Sequence, residues 1–307
     1  MSIKRIVSFL PSATELLYEL EVEDMLYGVT HECKYPEDAE TKPCVINSVI
    51  NSDELSSKEI DTKTCQLINE GKEIFVIHEK NILEADPDLI IFQDTCEVCA
   101  AYINQVSKAI QILQKKPIIY SMDPHNLQEI IESVNEIGKI IEKEGKAKKI
   151  IESLKKRIEH IKKIKPETKL KVLAIEWIDP FFTAGHWIPE MIKDAGGENM
   201  ISRIGEHSRK LSMTEITESD PDIIIMMPCG FDIFRTISEY NKILRDSKSW
   251  NMLRAVKNKK VFAVDANSYF SKPSIRTITG LEILAKIIQP EIFLNLDVPE
   301  NSFLQIK

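Results

Sequence analysis

Glycine is scarce, with 10 in 307 residues. No G-x-G-x-x-G follows a strand-like run and no G-x-x-x-x-G-K-[ST] occurs, so neither a dinucleotide turn nor a P-loop phosphate cradle is encoded. A G-x-S-x-G elbow and an H-E-x-x-H helix are also missing, which removes two large hydrolase classes. Cysteine is sparse and irregular: six residues are too few for a disulfide framework, and a reducing compartment leaves them as thiols able to ligate metals. Positive charge is not in excess either. Forty Lys and Arg face 48 Asp and Glu, a formal net charge of −8, so the electropositive surface that selects nucleic acid is lacking. No apolar run approaches the roughly 18 residues of a membrane helix. The opening run Ile6 to Leu10 is too short for a signal-peptide core and has no small-residue cleavage site. The expectation is a cytoplasmic protein as the sequence stands, or an extracytoplasmic one if the true start lies upstream.

What is present is ample core material. Hydrophobic residues make up 43% of a chain long enough for two compact units. Short β-branched runs at Arg5 to Phe9, Leu89 to Phe92, Ile118 to Ser121, Lys171 to Ile175, Ile223 to Met227 and Val261 to Val264 alternate with helical patterns. This is α/β patterning with largely parallel, buried strands. Two segments are near copies: Glu84-Ala-Asp-Pro-Asp followed by Leu89, and Glu218-Ser-Asp-Pro-Asp followed by Ile223. Each reads as a turn feeding a buried strand, and together they predict two related halves. Between them Leu127, Ile130, Ile131, Val134, Ile137, Ile140 and Ile141 keep one helical face, with Gly145 as the predicted stop. Such a helix forms a rod of about 27 Å. A second helix is expected from Ala147 to about Ile164, its lysine clusters reading as a solvated face. The organisation expected is an α/β lobe over residues 1–124, a connecting helix over 125–145, a second α/β lobe over 146–290 and a tail over 291–307.

In open parallel sheets ligands bind beyond the carboxyl ends of the strands. After the first strand, Ser12-Ala-Thr-Glu15 has capping-box spacing, which would start a helix and leave backbone N–H groups facing the strand ends; a helix cap alone accounts for it. His31, Glu32 and Cys33 follow a further run, Met25 to Val29, and Cys96 and Cys99 follow Leu89 to Phe92 with Asp94 and Glu97 as candidate caps. Thiolates are favoured in a first helical turn, where the backbone is electropositive. In the second half, four aromatics, Trp177, Phe181, Phe182 and Trp187, alternate with Asp179, His186 and Glu190 in a stretch holding two prolines and a glycine. That composition reads as a flat-walled pocket lining. Cys229 and Phe231 follow one strand; Tyr269, Phe270 and Arg276 follow the last. Four thiols, Cys33, Cys96, Cys99 and Cys229, suit zinc or an iron–sulfur cluster. Cys44 and Cys65 read as structural, and His78, His125, His160 and His207 carry no spacing signal.

At these loops the chain resembles the cobalamin-binding and ferric-siderophore-binding proteins of ABC uptake systems, in their signal-less branch. The resemblance rests on Arg5 to Glu15, His31-Glu-Cys33, Gln93 to Ala100, Glu176 to Trp187, Pro228 to Asp232 and Tyr269-Phe-Ser271. It implies a class III fold, two α/β lobes joined by a single long helix, and capture of a small-molecule metal complex between them. A cobalamin or other corrinoid, or an iron–siderophore complex, is the implied ligand, and an ABC permease the implied partner. Ser12, His31, Glu32, Trp177, Asp179, Phe181, Phe182, His186, Trp187, Phe231, Tyr269, Phe270 and Arg276 are the implied ligand-binding positions. No catalytic residue is assembled by spacing, so a binding protein rather than an enzyme is expected. Lys34 and the segment Lys272 to Arg276 depart from the branch's pattern, which bears on the polarity of one edge of the site. Two other readings stay open. One is a cytosolic Cys-ligated metal or iron–sulfur protein with enzymatic activity; the other is a cytosolic corrinoid or iron-complex carrier or sensor.

Overall fold

The structure is a computed structural model that describes residues 2–93, 101–163 and 166–307. Contacts divide the chain into two compact α/β units. The first holds the residues up to Leu55 with Thr62–Pro124 and Gln128–Glu152; the second holds Ser56–Asp61, His125–Leu127 and Ser153–Lys307.

The first unit's sheet is built from β1 (Ile6–Ser8), β2 (Leu26–Thr30), β3 (Cys44–Ser48), β4 (Phe75–Ile77), β5 (Leu89–Phe92) and β6 (Ile118–Ser121), in the spatial order β4-β3-β2-β1-β5-β6. Every neighbouring pair is parallel except β3 with β4. The central strands are covered on both faces, so their side chains are apolar at nearly every position rather than alternating. Val7, Phe9, Val45, Ile46 and Ile90 pack there against Ile82 and Ala109 from flanking helices.

The second unit's sheet repeats the parallel centre with different edges. It comprises β7 (Lys171–Ile178), β8 (Phe181–Thr183), β9 (Glu198–Asn199), β10 (Ile223–Met226), β11 (Val261–Val264) and β12 (Phe303–Gln305). The order is β12-β11-β10-β7-β8, with β9 added beside the start of β7. β7, β10 and β11 are parallel; β8 and β12 close the edges antiparallel. Leu173, Ile175, Ile224, Met226 and Ala263 pack against Trp250, Tyr240 and Leu253.

The two Asp-Pro-Asp segments occupy matching places. β5 lies beside β1 and β10 beside β7, the first strand of each unit. Both turns begin with an aspartate in the left-handed region, Asp86 at φ 36° and Asp220 at φ 40°. Asp88 Oδ2 accepts the backbone N–H groups of Lys4 and Arg5 at 3.0 Å, and Asp222 Oδ2 accepts that of Lys171 at 2.8 Å. A basic side chain straddles each aspartate pair: Lys115 at 3.2 and 3.0 Å from Asp86 and Asp88, Arg254 at 3.1 and 2.9 Å from Asp220 and Asp222. The repeat is therefore one of interactions as well as of letters.

Three local expectations need correction. The first helix spans Pro11–Glu19 with Leu10 at its N-cap, and Ser12 makes no cap. Pro11 has no N–H and a backbone angle preset for a helix, so it takes the first helical position and draws Ser12 inside. The helix Leu127–Ile140 has 14 residues, a rod of about 21 Å rather than 27 Å. Of its predicted face, Leu127, Ile130, Ile131, Val134, Ile137 and Ile141 are buried and Ile140 is half-buried. It ends without Gly145. Glu142 takes the left-handed conformation at φ 59°, and Gly145 lies inside the next helix, Glu144–Lys162. Among the described residues no helix is long and apolar enough to cross a membrane.

Candidate functional site

In the second unit, the carboxyl ends of β7, β10 and β11 carry the densest chemistry. β7 runs on to Ile178, further than its apolar run suggests, because β8 folds back to pair with Trp177 and Ile178. That hairpin places Trp177 against Phe231, with ring centroids 5.3 Å apart in an edge-to-face contact. The Arg235 guanidinium lies 3.7 Å from the Phe231 ring centroid. Phe231 is 2% exposed, so it acts as a buttress, while Trp177 keeps part of its surface open.

Backbone and side-chain bonds fix these loops to each other. Gly230 N–H donates to Ser271 Oγ at 3.0 Å, and Asn267 N–H donates to the Phe231 carbonyl at 3.1 Å. Gly230 sits at φ 76°, a conformation that glycine adopts without cost. Lys272 Nζ donates to Asn267 Oδ1 at 2.8 Å, and the Arg276 guanidinium is 5.6 Å from the half-buried Tyr269 ring. Trp187 is buried, its indole N–H donating to the Phe270 carbonyl at 3.2 Å. Cys229 is exposed at the end of β10, its N–H bonded to the Glu176 carbonyl.

A buried carboxylate anchors one further segment here. Glu239, 5% exposed, accepts both the N–H and the hydroxyl of Ser57 at 2.6 Å, and the Ser57 carbonyl accepts the Trp177 indole N–H at 3.2 Å. Sequence spacing gave no sign of Glu239, since a lone glutamate in an amphipathic helix reads as surface.

The four aromatics of the Trp177 to Trp187 stretch do not form one wall. Phe181 stacks on Trp250 at 5.7 Å and 14° within the core, while Phe182, next along the strand, points to the other face under Lys210. Asp179 is half-buried in the tight turn between β7 and β8.

His186 is the most constrained residue of the region. It holds φ 53°, uncommon for a residue with a β-carbon. Its N–H donates to the Glu206 carbonyl at 2.6 Å and its carbonyl accepts from Gly205 N–H at 2.9 Å. Gly185 permits this, because a β-carbon there would sit 2.5 Å from the Glu206 carbonyl oxygen and 2.7 Å from Ser208 N. His207 is thereby set beside His186, with ring centroids 5.1 Å apart. Glu190 Oε2 accepts the Leu127 N–H at 2.9 Å and brings His125 to the same place, 5.8 Å from His186 and 5.7 Å from His207. Three imidazoles from three distant segments thus share one spot, which linear spacing cannot reveal. Close by, Glu176 accepts the Gly185 N–H, and removal of its carboxyl from water pushes its pKa up.

In the first unit, Ser12 is buried within its helix. Cys33 is also buried, its sulfur 3.1 Å from Thr14 Oγ1 and accepting the Thr30 N–H at 3.4 Å. His31 is tied to β3 by its N–H and by Nδ1, which lies 3.3 Å from the Ile46 carbonyl; Glu32 is exposed. Cys44 bonds to Ile46 and Asn47, and burial raises its thiol pKa. Cys96 and Cys99 lie outside the described residues. Among the described residues, no three His, Cys, Asp or Glu side chains are set as they stand to hold a metal ion.

Comparison with known proteins supplies the wider context. A family model described as periplasmic binding protein matches residues 6–268. The chain is 24% identical over 301 residues to the uncharacterized ABC transporter substrate-binding lipoprotein YvrC of Bacillus subtilis, covering 94% of this chain and 81% of that protein. It is 27% identical over 160 residues to the high-affinity heme uptake system protein IsdE of Staphylococcus aureus, a stretch covering 50% of this chain and 53% of IsdE. The periplasmic vitamin B12 binding protein BtuF of Vibrio cholerae has the same fold, with a TM-score of 0.68 at 19% identity over 94% of this chain and 97% of that one.

Proposed function

Because this chain belongs to the periplasmic binding protein family, we propose that it captures a metal-centred small molecule, a corrinoid first and an iron complex second, at the strand ends of its second unit. It is an ABC-type solute-binding protein, and its relatives are substrate-binding proteins rather than enzymes. The observation that carries this proposal is the half-open Trp177 ring, set against Phe231 and pinned by its indole N–H to the Ser57 carbonyl. A rigid aromatic plate of this kind covers the flat face of a macrocycle at low entropic cost. Tyr269 with Arg276, and Lys272 beside them, offer stacking and cationic donors suited to the phosphate or carboxylate groups that such ligands carry. A permease would receive the ligand, and the formal charge of −8 leaves nucleic acid outside this picture.

A fluorescence titration tests the reading. Of the three tryptophans, Trp187 and Trp250 are buried and Trp177 is not, so ligand contact quenches mainly Trp177. Saturable quenching by cobalamin is expected, and Trp177→Ala should weaken binding, measured by equilibrium dialysis, by about tenfold or more. Quenching by ferric siderophore or haemin instead would move the ligand within the proposed class. A flat response to all three would overturn the proposal.

A further inference from the structure

We propose that His125, His186 and His207 form a binding site for a single divalent transition-metal ion of the zinc, nickel or cobalt type, held by imidazole nitrogen alone. The site lies in the second unit, and the proposal does not rest on the capture of a bulky complex described above.

An imidazole nitrogen binds such an ion at about 2.0–2.1 Å, which puts the ring centroid about 3.2 Å from the metal; three rings spread around one ion then have centroids about 5.2–5.5 Å apart. The observed separations are 5.1, 5.7 and 5.8 Å. As the rings stand their donors do not meet at one point. Rotation about χ2 is a soft, broad torsion that re-aims the ring nitrogens while leaving the ring in place. His207 is edge-on to the other two rings, at 80° and 86°, and needs the largest turn; it is also exposed and has the room.

The backbone under the cluster is far less adjustable than the rings. His186 is held at φ 53° by bonds to Gly205 and Glu206, Gly185 admits the Glu206–Ser208 backbone by close contact, and Glu190 fixes Leu127 two residues after His125. Non-glycine residues kept in the left-handed region concentrate where function over-determines them. The spacing also distinguishes an ion from a macrocycle. Three imidazoles within 6 Å of one another surround a point, and a flat ring system has no way to enter between them. His125 and His186 are half-buried and His207 is exposed, so water can complete the coordination shell, the arrangement of an open three-histidine site.

The test uses the full chain, stripped with a chelator and titrated with Zn2+ against a chromophoric chelator, then with Co2+ in the visible range. One equivalent should bind, and the Co2+ adduct should show d–d bands without the near-ultraviolet sulfur charge-transfer band of a thiolate site. His207→Gln, at an exposed position, should weaken binding by about tenfold or more with an unchanged thermal melt. His186→Asn provides a second variant, because asparagine tolerates the left-handed backbone; it should weaken binding similarly, whereas Cys229→Ser should leave it unchanged. Absence of saturable binding overturns the proposal. So does binding that carries a thiolate band, that survives both histidine changes, or that is lost in Cys229→Ser.

Discussion

Glu239 shows how one side chain fixes an aromatic ring that it does not bond directly. It is buried, it accepts two hydrogen bonds from Ser57, and the carbonyl of the same serine holds the Trp177 indole. Hydrogen bonds to a charged group each contribute about 1.5–3 kcal/mol, and their loss leaves the Ser57 donors buried without an acceptor. Glu239→Ala should therefore cost about 2–4 kcal/mol in urea unfolding. Because Trp177 loses its anchor, the variant's tryptophan emission should also shift to the red under native conditions. An unchanged urea midpoint would show that the bonds to Ser57 contribute little. At this scale the sequence was partly legible. Trp177, Phe231, Tyr269 and Arg276 stand out as candidates because aromatics and cations after apolar runs are rare enough to notice. The contacts of Glu239, His125 and His207 are not legible, since their partners are distant in sequence and ordinary helix or loop readings account for each alone. The paired aromatics Phe181 and Phe182 misled for a different reason: the strand pairing with β7 that sends them to opposite faces is a tertiary fact.

Among the elements, the helix Met213–Ser219 offers a pH test. Ser212 caps it, accepting the Glu215 N–H at 3.2 Å, while the Glu215 carboxylate accepts the Ser212 N–H and hydroxyl at 2.9 Å and pairs with Arg209 at 2.8 Å. The backbone bond from Ser212 and the Arg209 guanidinium lower its pKa from 4.5 to about 2. A folded-state pKa below the unfolded one stabilises the native state fully above the unfolded value, and the gain disappears as pH falls through the folded value. The difference in thermal midpoint between the native chain and Glu215→Gln should therefore be constant above pH 5 and shrink towards zero as pH approaches 2. A difference that stays constant down to pH 2 would contradict this assignment. Elements were the most legible level. The face of Leu127–Ile140 follows from its period, and the parallel strands follow from their β-branched runs. The ends were less so: Pro11 shifts the first helix start, Glu142 rather than Gly145 stops the helix before it, and β7 is lengthened by its partner β8.

For the whole molecule, the repeated Asp-Pro-Asp turn, the two sheets with parallel centres and the match to the periplasmic binding protein family describe one architecture. At the strand ends of the second unit, Trp177, Tyr269 and Arg276 are residue types suited to holding a ligand. The most direct measurement is equilibrium dialysis of the full chain against cyanocobalamin, run in parallel on Cys33→Ser and Cys229→Ser, with iron and sulfide assayed on the same anaerobic preparations. The account predicts reversible binding at one equivalent that both cysteine variants retain. No cobalamin binding, together with a brown preparation containing stoichiometric iron and sulfide that either change bleaches, would contradict it.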